Sequence, residues 1–234
     1  MFKKMKEAKA DRAAQAEAAR QDAETARLLA EAHRAHAAWE AAKLEQSTSY
    51  VAGVMLKKNE IAYMAVQGAM LVEPRKAPGQ WAGGTKGVSF RVAKGVTVRT
   101  GAMRAQYVPG EERPTPVDTG TFVITNQRCL FSGEQKTTEW AYAKLQGFSL
   151  EGEAIAIFNV SNRQKATGVL YTTEVEHILD ALIAAAIAKF QSDEAHEAVV
   201  AELGQAYAEV YRAWELSSGG PPIDATVAEE LPPS

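Results

Sequence analysis

The side chains best suited to binding chemistry are lysines and arginines in two stretches, residues 86–99 and 163–165. Ammonium and guanidinium groups form strong, charge-assisted hydrogen bonds with phosphate and carboxylate oxygens. The candidate ligand-binding residues are Lys86, Arg91, Lys94, Arg99, Arg163 and Lys165. These stretches therefore predict a surface that binds an anionic group.

A glycine-rich stretch at 79–87, GQWAGGTKG, invites comparison with a nucleotide-binding loop. A P-loop has the order G-x-x-x-x-G-K-[ST], which brings the lysine to the phosphates and the hydroxyl to magnesium. Gly79 and Gly84 have this spacing, but Thr85 and Lys86 stand in the reverse order. Strand-like sequence follows where a helix N-terminus would be needed. We therefore interpret the stretch as a surface loop.

The residue types that carry catalysis or bind metals are few and scattered. Cys129 is the single cysteine, and no histidine is a plausible catalytic partner for it. His33 and His36 share a helical face but lack a third ligand at metal-binding spacing. The other two histidines, His177 and His196, are expected at the surface. We predict no catalytic residue, no metal and no cofactor, and hence no enzyme.

Charge is distributed unevenly along the 234 residues. Residues 1–46 contain 9 basic and 8 acidic residues, residues 47–190 contain 16 and 12, and residues 191–234 contain 1 and 9, so their net charges are +1, +4 and −8. An acidic end argues against a nucleic-acid binder. A lone cysteine favours a reducing cytosol, and no apolar run approaches the roughly 20 residues that cross a bilayer.

The N-terminal part, residues 5–46, is rich in alanine and in long straight-chain residues and has no Gly or Pro, which predicts one long helix ended by residues 47–49. Two stripes in it have three-four spacing, as in coiled coils. The first stripe is Ala16, Ala19, Ala23, Ala26 and Ala30. The second is Leu28, Ala32, Ala35, Trp39 and Ala42. Self-association and a solvated helical arm both fit this pattern.

The middle of the chain has the alternation and turn residues of short antiparallel strands. We predict six to eight strands, with the clearest meander at 119–150, the proline- and glycine-bearing sequence at 74–79 as a break, and residues 109–118 as an exposed loop. Asn126 suits the first turn of the meander, and Thr125 can hydrogen-bond across it. Arg128 is expected to pair with a carboxylate, and Trp140 to pack in the core or at its rim.

After Thr173 the apolar period changes to that of a helix. Thr173 and Glu176 match a capping box. The predicted apolar face comprises Val175, Ile178, Leu179, Leu182, Ala186, Ile187 and Phe190. A second amphipathic helix is predicted from Ser192, with an acidic, proline-bearing disordered tail from residue 218 onward.

Residues 120–131, GTFVITNQRCLF, followed by TTEW at 137–140, resemble the hairpin signature of bacterial PH-like and GRAM-like domains. The stretch SNRQKATG at 161–168 is similar to actinobacterial members in which a long helix precedes the domain. The resemblance implies an α+β fold with a PH-like bent antiparallel sandwich or barrel closed by a C-terminal helix. The expected segments are a helical arm at 1–48, the PH-like domain at 55–190, an additional helix at 191–217 and the tail at 218–234.

The resemblance also implies a binding role rather than catalysis. The first expectation is a cytoplasmic module for protein–protein interaction or scaffolding, with a protein partner or self-association through the N-terminal helix. The alternative is peripheral binding of an anionic phospholipid headgroup at the inner face of the membrane by the six basic residues named above. In both cases no nucleic acid is expected as a partner.

Overall fold

The structure is a computed structural model that describes residues 2–76, 82–93, 96–106, 112–150 and 154–218. Side chains are described over residues 11–75, 114–150 and 154–218. Apart from Ser218, the predicted disordered tail lies outside the described residues.

The described residues form three α-helices and nine strands, against the six to eight strands predicted. The helices are α1 (Phe2–Ala42), α2 (Glu176–Gln191) and α3 (Asp193–Ser218). The strands are β1 (Ala62–Lys76), β2 (Ala82–Ala93), β3 (Val96–Gln106), β4 (Glu112–Thr125), β5 (Arg128–Gly133), β6 (Thr137–Ala141), β7 (Leu145–Leu150), β8 (Ile155–Val160) and β9 (Thr167–Leu170). A 3₁₀ turn at Tyr142–Lys144 joins β6 to β7.

Seven strands form one antiparallel sheet in the order β6-β5-β4-β1-β9-β8-β7. Strand β1 pairs with β4 over its whole length and also with β9 through Met70, Leu71 and Val72. It therefore joins two meanders, β4-β5-β6 and β7-β8-β9. Strands β2 and β3 form a separate antiparallel hairpin between β1 and β4, and the backbone of β3 lies close to that of β7.

Two predicted loops are strands instead. The loop predicted at 79–87 is wrong from Ala82 onward, because β2 begins there and Gly83 pairs with Ala105. The loop predicted at 109–118 is wrong from Glu112 onward, because β4 pairs with β1 along this stretch. Likewise, β1 continues through the predicted break at Pro74 as far as Lys76.

The core of the sheet is aromatic. Trp140 and Phe158 lie with ring centroids 4.9 Å apart, and Phe122 and Phe148 each lie 6.4 Å from Phe158. All four side chains are buried, so of the two positions predicted for Trp140, core or rim, the core is the one observed. Tilted and stacked aromatic pairs of this kind add stability beyond the area they bury.

Helix α2 lies against β4 and β2 and differs from its prediction. The predicted capping box is wrong, because Val175 is the N-cap residue and makes no side-chain cap hydrogen bond. Instead, Glu176 Oε1 accepts a hydrogen bond from the Ala154 backbone N–H at 3.2 Å. Burial extends continuously from Ala181 to Ala188, well beyond one stripe, whereas the predicted core residue Phe190 is 43% exposed.

The chain divides into two compact units: Met1–Ala37 with Ala201–Ser234, and Ala38–Val200. The predicted boundaries at 48, 55 and 190 stay predictions, since α1 and α3 each contribute to both units. None of the described helices has the length and apolarity required to cross a bilayer.

Within the first unit, α1 and α3 run antiparallel. Thr25 Oγ1 and Ser217 Oγ are 2.6 Å apart, and the His36 ring lies 5.0 Å from that of Tyr207. The second predicted stripe of α1 is the covered one, since Ala32 is 2% exposed. The first stripe, from Ala16 to Ala30, is exposed.

Helix α1 ends at Ala42, four residues before the predicted end, and Leu44 takes a left-handed backbone conformation with φ of 58°. In the second unit, His196 Nε2 bonds the Ala42 carbonyl oxygen at 2.8 Å, which satisfies one of the carbonyls left open at a helix end. The surface position predicted for His196 is wrong, because its ring is half-buried there. Ser192 Oγ accepts from the Ala195 N–H at 3.1 Å and caps α3, as the predicted start of that helix requires.

Candidate functional site

Four of the six predicted basic residues fall on or beside the β2–β3 hairpin. In the ladder, Lys86 pairs with Ala102, Arg91 with Thr97, and Arg99 with Ser89. Lys94 lies outside the described residues, and the side chains of the other three do as well. The hairpin backbone therefore brings Arg91 and Arg99 near each other, and their role as ligands stays a prediction.

Arg163 lies in the β8–β9 turn and is engaged inside the protein. Its Nη1 donates to Thr167 Oγ1 at 3.2 Å, and its Nη2 donates to the Glu139 carbonyl oxygen at 3.3 Å. Thr167 Oγ1 also accepts from Trp140 Nε1 at 2.9 Å. Arg163 therefore ties the edge strand β6 to β9, and part of its hydrogen-bonding capacity is used in this way.

Lys165 is exposed in the same turn and lines a depression of about 410 Å³, which we call the Lys165 depression. Its other lining residues are Val72, Glu73, Pro74, Pro114, Ile157, Gln164 and Ala166. Glu73 Oε1 pairs with Lys136 Nζ at 2.6 Å. This depression therefore combines apolar lining residues with the ammonium group of Lys165. The ammonium group of Lys136 is paired with the lining residue Glu73.

A larger depression, of about 710 Å³, lies over β1, β4 and the β5–β6 turn. We call it the bulge depression; it is lined by Gln67, Gly68, residues 116–121 and residues 132–135. The β1–β4 register shifts at Gly68 and again beside Val117, so neither residue has a partner in that ladder. β-Bulges of this kind leave backbone polar groups outside the regular pairing.

Glycines determine the shape of the bulge depression. A Cβ atom at Gly120 would overlap the Ser132 carbonyl group, and one at Gly133 would overlap the Asp118 carboxylate. Gly68 has a φ of 75°, a conformation that side chains disfavour. These glycines let the strands approach closely and leave the floor formed largely by backbone.

Asp118 is fixed at the rim of the bulge depression. Its Oδ2 accepts from the N–H groups of Gln135 at 3.0 Å and Lys136 at 2.8 Å, and its Oδ1 accepts from the Thr119 N–H at 2.9 Å. Desolvation alone raises the pKa of Asp118, but these hydrogen bonds outweigh it and hold the pKa below its ordinary value. The carboxylate is therefore ionised near neutral pH.

An ion-pair network with a buried centre, Arg128 and Glu60, lies beneath the β4–β5 turn. Arg128 Nε and Nη2 donate to the two carboxylate oxygens of Glu60 at 2.8 and 3.0 Å, and Nη1 pairs with Glu139. The expected pairing of Arg128 with a carboxylate is confirmed. Lys57 Nζ completes the network at 3.0 Å from Glu139.

The turn residues behave as their types predict. Thr125 Oγ1 accepts from the N–H groups of Gln127 and Arg128 at 3.1 and 3.0 Å and lies 2.8 Å from Glu60 Oε1, to which its hydroxyl can donate. Asn126 Oδ1 accepts from the Ile61 N–H at 3.0 Å. These contacts make the turn an anchor for the segment that precedes β1.

Cys129 lies fully buried on β5, with its Sγ 3.5 Å from the Tyr142 hydroxyl. Burial raises the pKa of the thiol to about 12. A thiol that stays protonated is a poor nucleophile. The inert character expected of Cys129 agrees with this environment.

The titratable pair of Tyr171 and Asp180 was not predicted from the sequence. The Tyr171 hydroxyl donates to Asp180 Oδ1, with Asp180 on α2 and Tyr171 directly after β9. Burial, opposed by this hydrogen bond and reinforced by the charge of Glu176, raises the pKa of Asp180 to about 7. The available signal was an aspartate within the apolar run ILDALIAAA.

Comparisons of the whole chain were made with protein-family models, with curated proteins and with solved structures. None of the three gave a significant match.

Proposed function

We propose that this chain is a non-catalytic, cytoplasmic binding module of PH-like architecture whose partner is a protein. The strand order supports the architecture: two antiparallel meanders share β1, and a helix follows the last strand. In this view the β2–β3 hairpin is an insertion between the first two strands of the domain.

The bulge depression is the observation that supports a protein as the partner. Its described lining residues include no Lys or Arg, so the depression does not favour a phosphate group. The register shifts leave Gly68 and Val117 outside the ladder, and we propose their backbone groups as hydrogen-bonding positions for a bound polypeptide. Its polar lining, which includes Gln67, Asp118 and Glu134, suits a polar polypeptide better than an apolar small molecule.

A library of displayed peptides, panned against the full chain, tests this proposal. Thr121→Lys places a long cation in the bulge depression, and Lys165→Glu alters the other depression as a matched control. Selected peptides should bind Thr121→Lys at least tenfold more weakly and Lys165→Glu unchanged. Equal binding to both variants, or selection of no peptide, would contradict the proposal.

The Lys165 depression supports the second candidate function, binding of an anionic phospholipid headgroup. Each cation near an anionic surface contributes about 1 kcal/mol. Co-sedimentation of the full chain with vesicles of neutral or anionic lipid measures it. Under this proposal Lys165→Glu lowers binding to anionic vesicles several-fold and Thr121→Lys does not; binding that ignores lipid charge, or no binding, would refute it.

The exposed alanine stripe of α1 supports self-association as the scaffolding component of the proposal. Ala19 and Ala23 lie on this stripe, and close helix packing through alanine does not tolerate a charged side chain there. Light scattering of the full chain against Ala19→Glu/Ala23→Glu tests it. A single mass, equal to that of one chain for both proteins, would exclude self-association through α1.

A further inference from the structure

The segment that joins α1 to β1 presents two large apolar side chains to solvent. Tyr50 is 74% exposed and Met55 is 91% exposed. We call residues 47–59 the Tyr50–Met55 loop. Its sequence, STSYVAGVMLKKN, holds two lysines and no acidic residue. Methionine is usually buried in folded proteins, so the exposure of Met55 together with Tyr50 on the two sides of one short turn is the feature of interest.

A tight turn sets the direction of these side chains. Val51 and Val54 form an antiparallel bridge, closed by a 3.1 Å hydrogen bond from the Val54 N–H to the Val51 carbonyl, with Gly53 at a φ of 73°. The two valines pack on Val123 and Leu130. Because side chains alternate along extended backbone, Tyr50 and Met55 flank the bridge on its outer side.

Three side-chain hydrogen bonds fasten the loop to residues 126–128. Arg128 Nη2 donates to the Met55 carbonyl at 3.1 Å, Asn126 Nδ2 to the Asn59 carbonyl at 3.2 Å, and Gln127 Nε2 to the Lys58 carbonyl at 3.4 Å. The carbonyl groups are therefore turned toward the β4–β5 turn. These bonds tie the main chain of the loop in the conformation that exposes Tyr50 and Met55.

Lys58 adds an exposed positive charge beside Tyr50 and Met55. Lys57 and Lys58 are exposed, Glu60 is buried beneath Arg128, and Glu139 is paired with Lys57 and Arg128. Two protruding apolar side chains beside lysines suit the boundary of an anionic bilayer, where tyrosine and lysine are both favourable. A protein interface demands a complementary surface of about 800 Å² on each partner, whereas a fluid bilayer accepts a small tip.

We infer that the Tyr50–Met55 loop is a membrane-contact site that inserts Tyr50 and Met55 at the surface of bilayers rich in anionic lipid. It lies at the β4–β5 turn and does not depend on either depression. The inference therefore does not rest on the proposed function, and a label at position 55 distinguishes this site from the Lys165 depression. Lys58 supplies the main attraction, since Lys57 is already paired with the partly exposed Glu139 carboxylate, and Met55 supplies the apolar contact.

A fluorescent label at position 55 tests this inference on the full chain. Cys129 is fully buried, so an environment-sensitive thiol dye will react at Met55→Cys in the folded protein. Leu216→Cys is the matched control, because Leu216 is 87% exposed on α3. With vesicles of neutral lipid plus one-third anionic lipid, the dye at 55 should shift to the blue and the dye at 216 should not.

Two unlabelled variants separate the contribution of charge from that of apolar contact in a co-sedimentation assay. Lys58→Gln should lower the vesicle partition coefficient about fivefold, and Met55→Ser about tenfold. Leu216→Ser should leave it unchanged. The inference is overturned if the dye at 55 stays in water with anionic vesicles, if both dyes respond equally, or if the dye at 55 responds only to higher protein concentration, which would indicate contact between copies of the chain.

Discussion

Arg128 and Glu60 form a two-pronged ion pair across 68 residues of sequence, with both carboxylate oxygens bound at 2.8 and 3.0 Å. Glu60 directly precedes the first residues of the sheet, and Arg128 begins β5. Both side chains are at most 9% exposed. The pair thus fastens the Tyr50–Met55 loop to the β4–β5 turn through one desolvated contact.

Arg128→Met should destabilise the fold by about 3 kcal/mol, because it leaves the buried Glu60 carboxylate without a cation. Urea unfolding monitored by tryptophan fluorescence measures the loss. In Arg128→Met/Glu60→Leu the unpaired charge is absent, so the double variant should recover part of that stability. A double variant that loses the sum of the two single changes would show that the residues are not coupled.

Glu60→Gln should remove part of the dependence of the unfolding free energy on pH in the acidic range. Burial raises the pKa of Glu60, but hydrogen bonds from Arg128, the Lys57 N–H and Thr125 outweigh it and lower the pKa. The contribution of the pair is therefore present above the unfolded pKa of about 4.3 and is lost as pH falls through the lowered folded pKa. The unfolding free energies of wild type and variant, measured from pH 6 to pH 2, should converge toward acid; a constant difference would contradict this assignment.

Gly120→Ala should cost roughly 1–3 kcal/mol, because the new Cβ atom overlaps the Ser132 backbone and forces β4 and β5 apart. Gly147→Ala on β7 is the matched control, since nothing lies within 4 Å of a Cβ there. We expect that control to change the unfolding free energy by less than about 0.5 kcal/mol. Similar losses in both variants would mean that glycine flexibility, rather than close approach, determines the cost.

Local hydrogen bonding made the β4–β5 hairpin predictable from sequence. Thr125 and Asn126 satisfy the turn through their own side chains, so a few neighbouring residues suffice to predict it. The carboxylate partner of Arg128 was not predictable, because Glu60 is distant in sequence and only the sheet brings the two together. The pairing was therefore evident from residue type, and its geometry was not.

Prolines misled the prediction of β4. Pro114 and Pro116 suggested a loop, yet both lie where β4 pairs with β1 alone. On an edge the missing N–H of proline interrupts no ladder, so the strand continues through it. Alanine misled the prediction of α2 in a similar way, because Ala181 and Ala185 broaden its buried surface beyond the stripe marked by the larger residues.

The exposure of the Tyr50–Met55 loop could not be predicted from sequence for a different reason. Tyr50 and Met55 are residue types that normally join the core, and only the Val51–Val54 turn directs them outward. Among the basic candidates, sequence drew attention to Lys165, which lines a depression, and to Arg163, whose contacts are internal. Charge alone does not distinguish a ligand-binding arginine from one that joins two strands.

Asp180→Asn should change the dependence of stability on pH near neutrality. Burial raises the folded pKa of Asp180 to about 7, above the unfolded value near 3.9. The folded state therefore holds a proton that the unfolded state has released, and this contribution to stability is full below about pH 4 and is lost as pH rises through 7. The variant lacks this titration.

Between pH 5 and pH 8 wild type should thus lose roughly 2 kcal/mol relative to Asp180→Asn, as urea unfolding at both pH values will measure. Tyr171→Phe is the control, because it removes the hydroxyl that donates to the ionised carboxylate. Without that donor the pKa of Asp180 rises further, and the loss moves to higher pH. If Asp180→Asn and wild type keep a constant difference over this range, Asp180 is ionised throughout and its burial does not control its protonation.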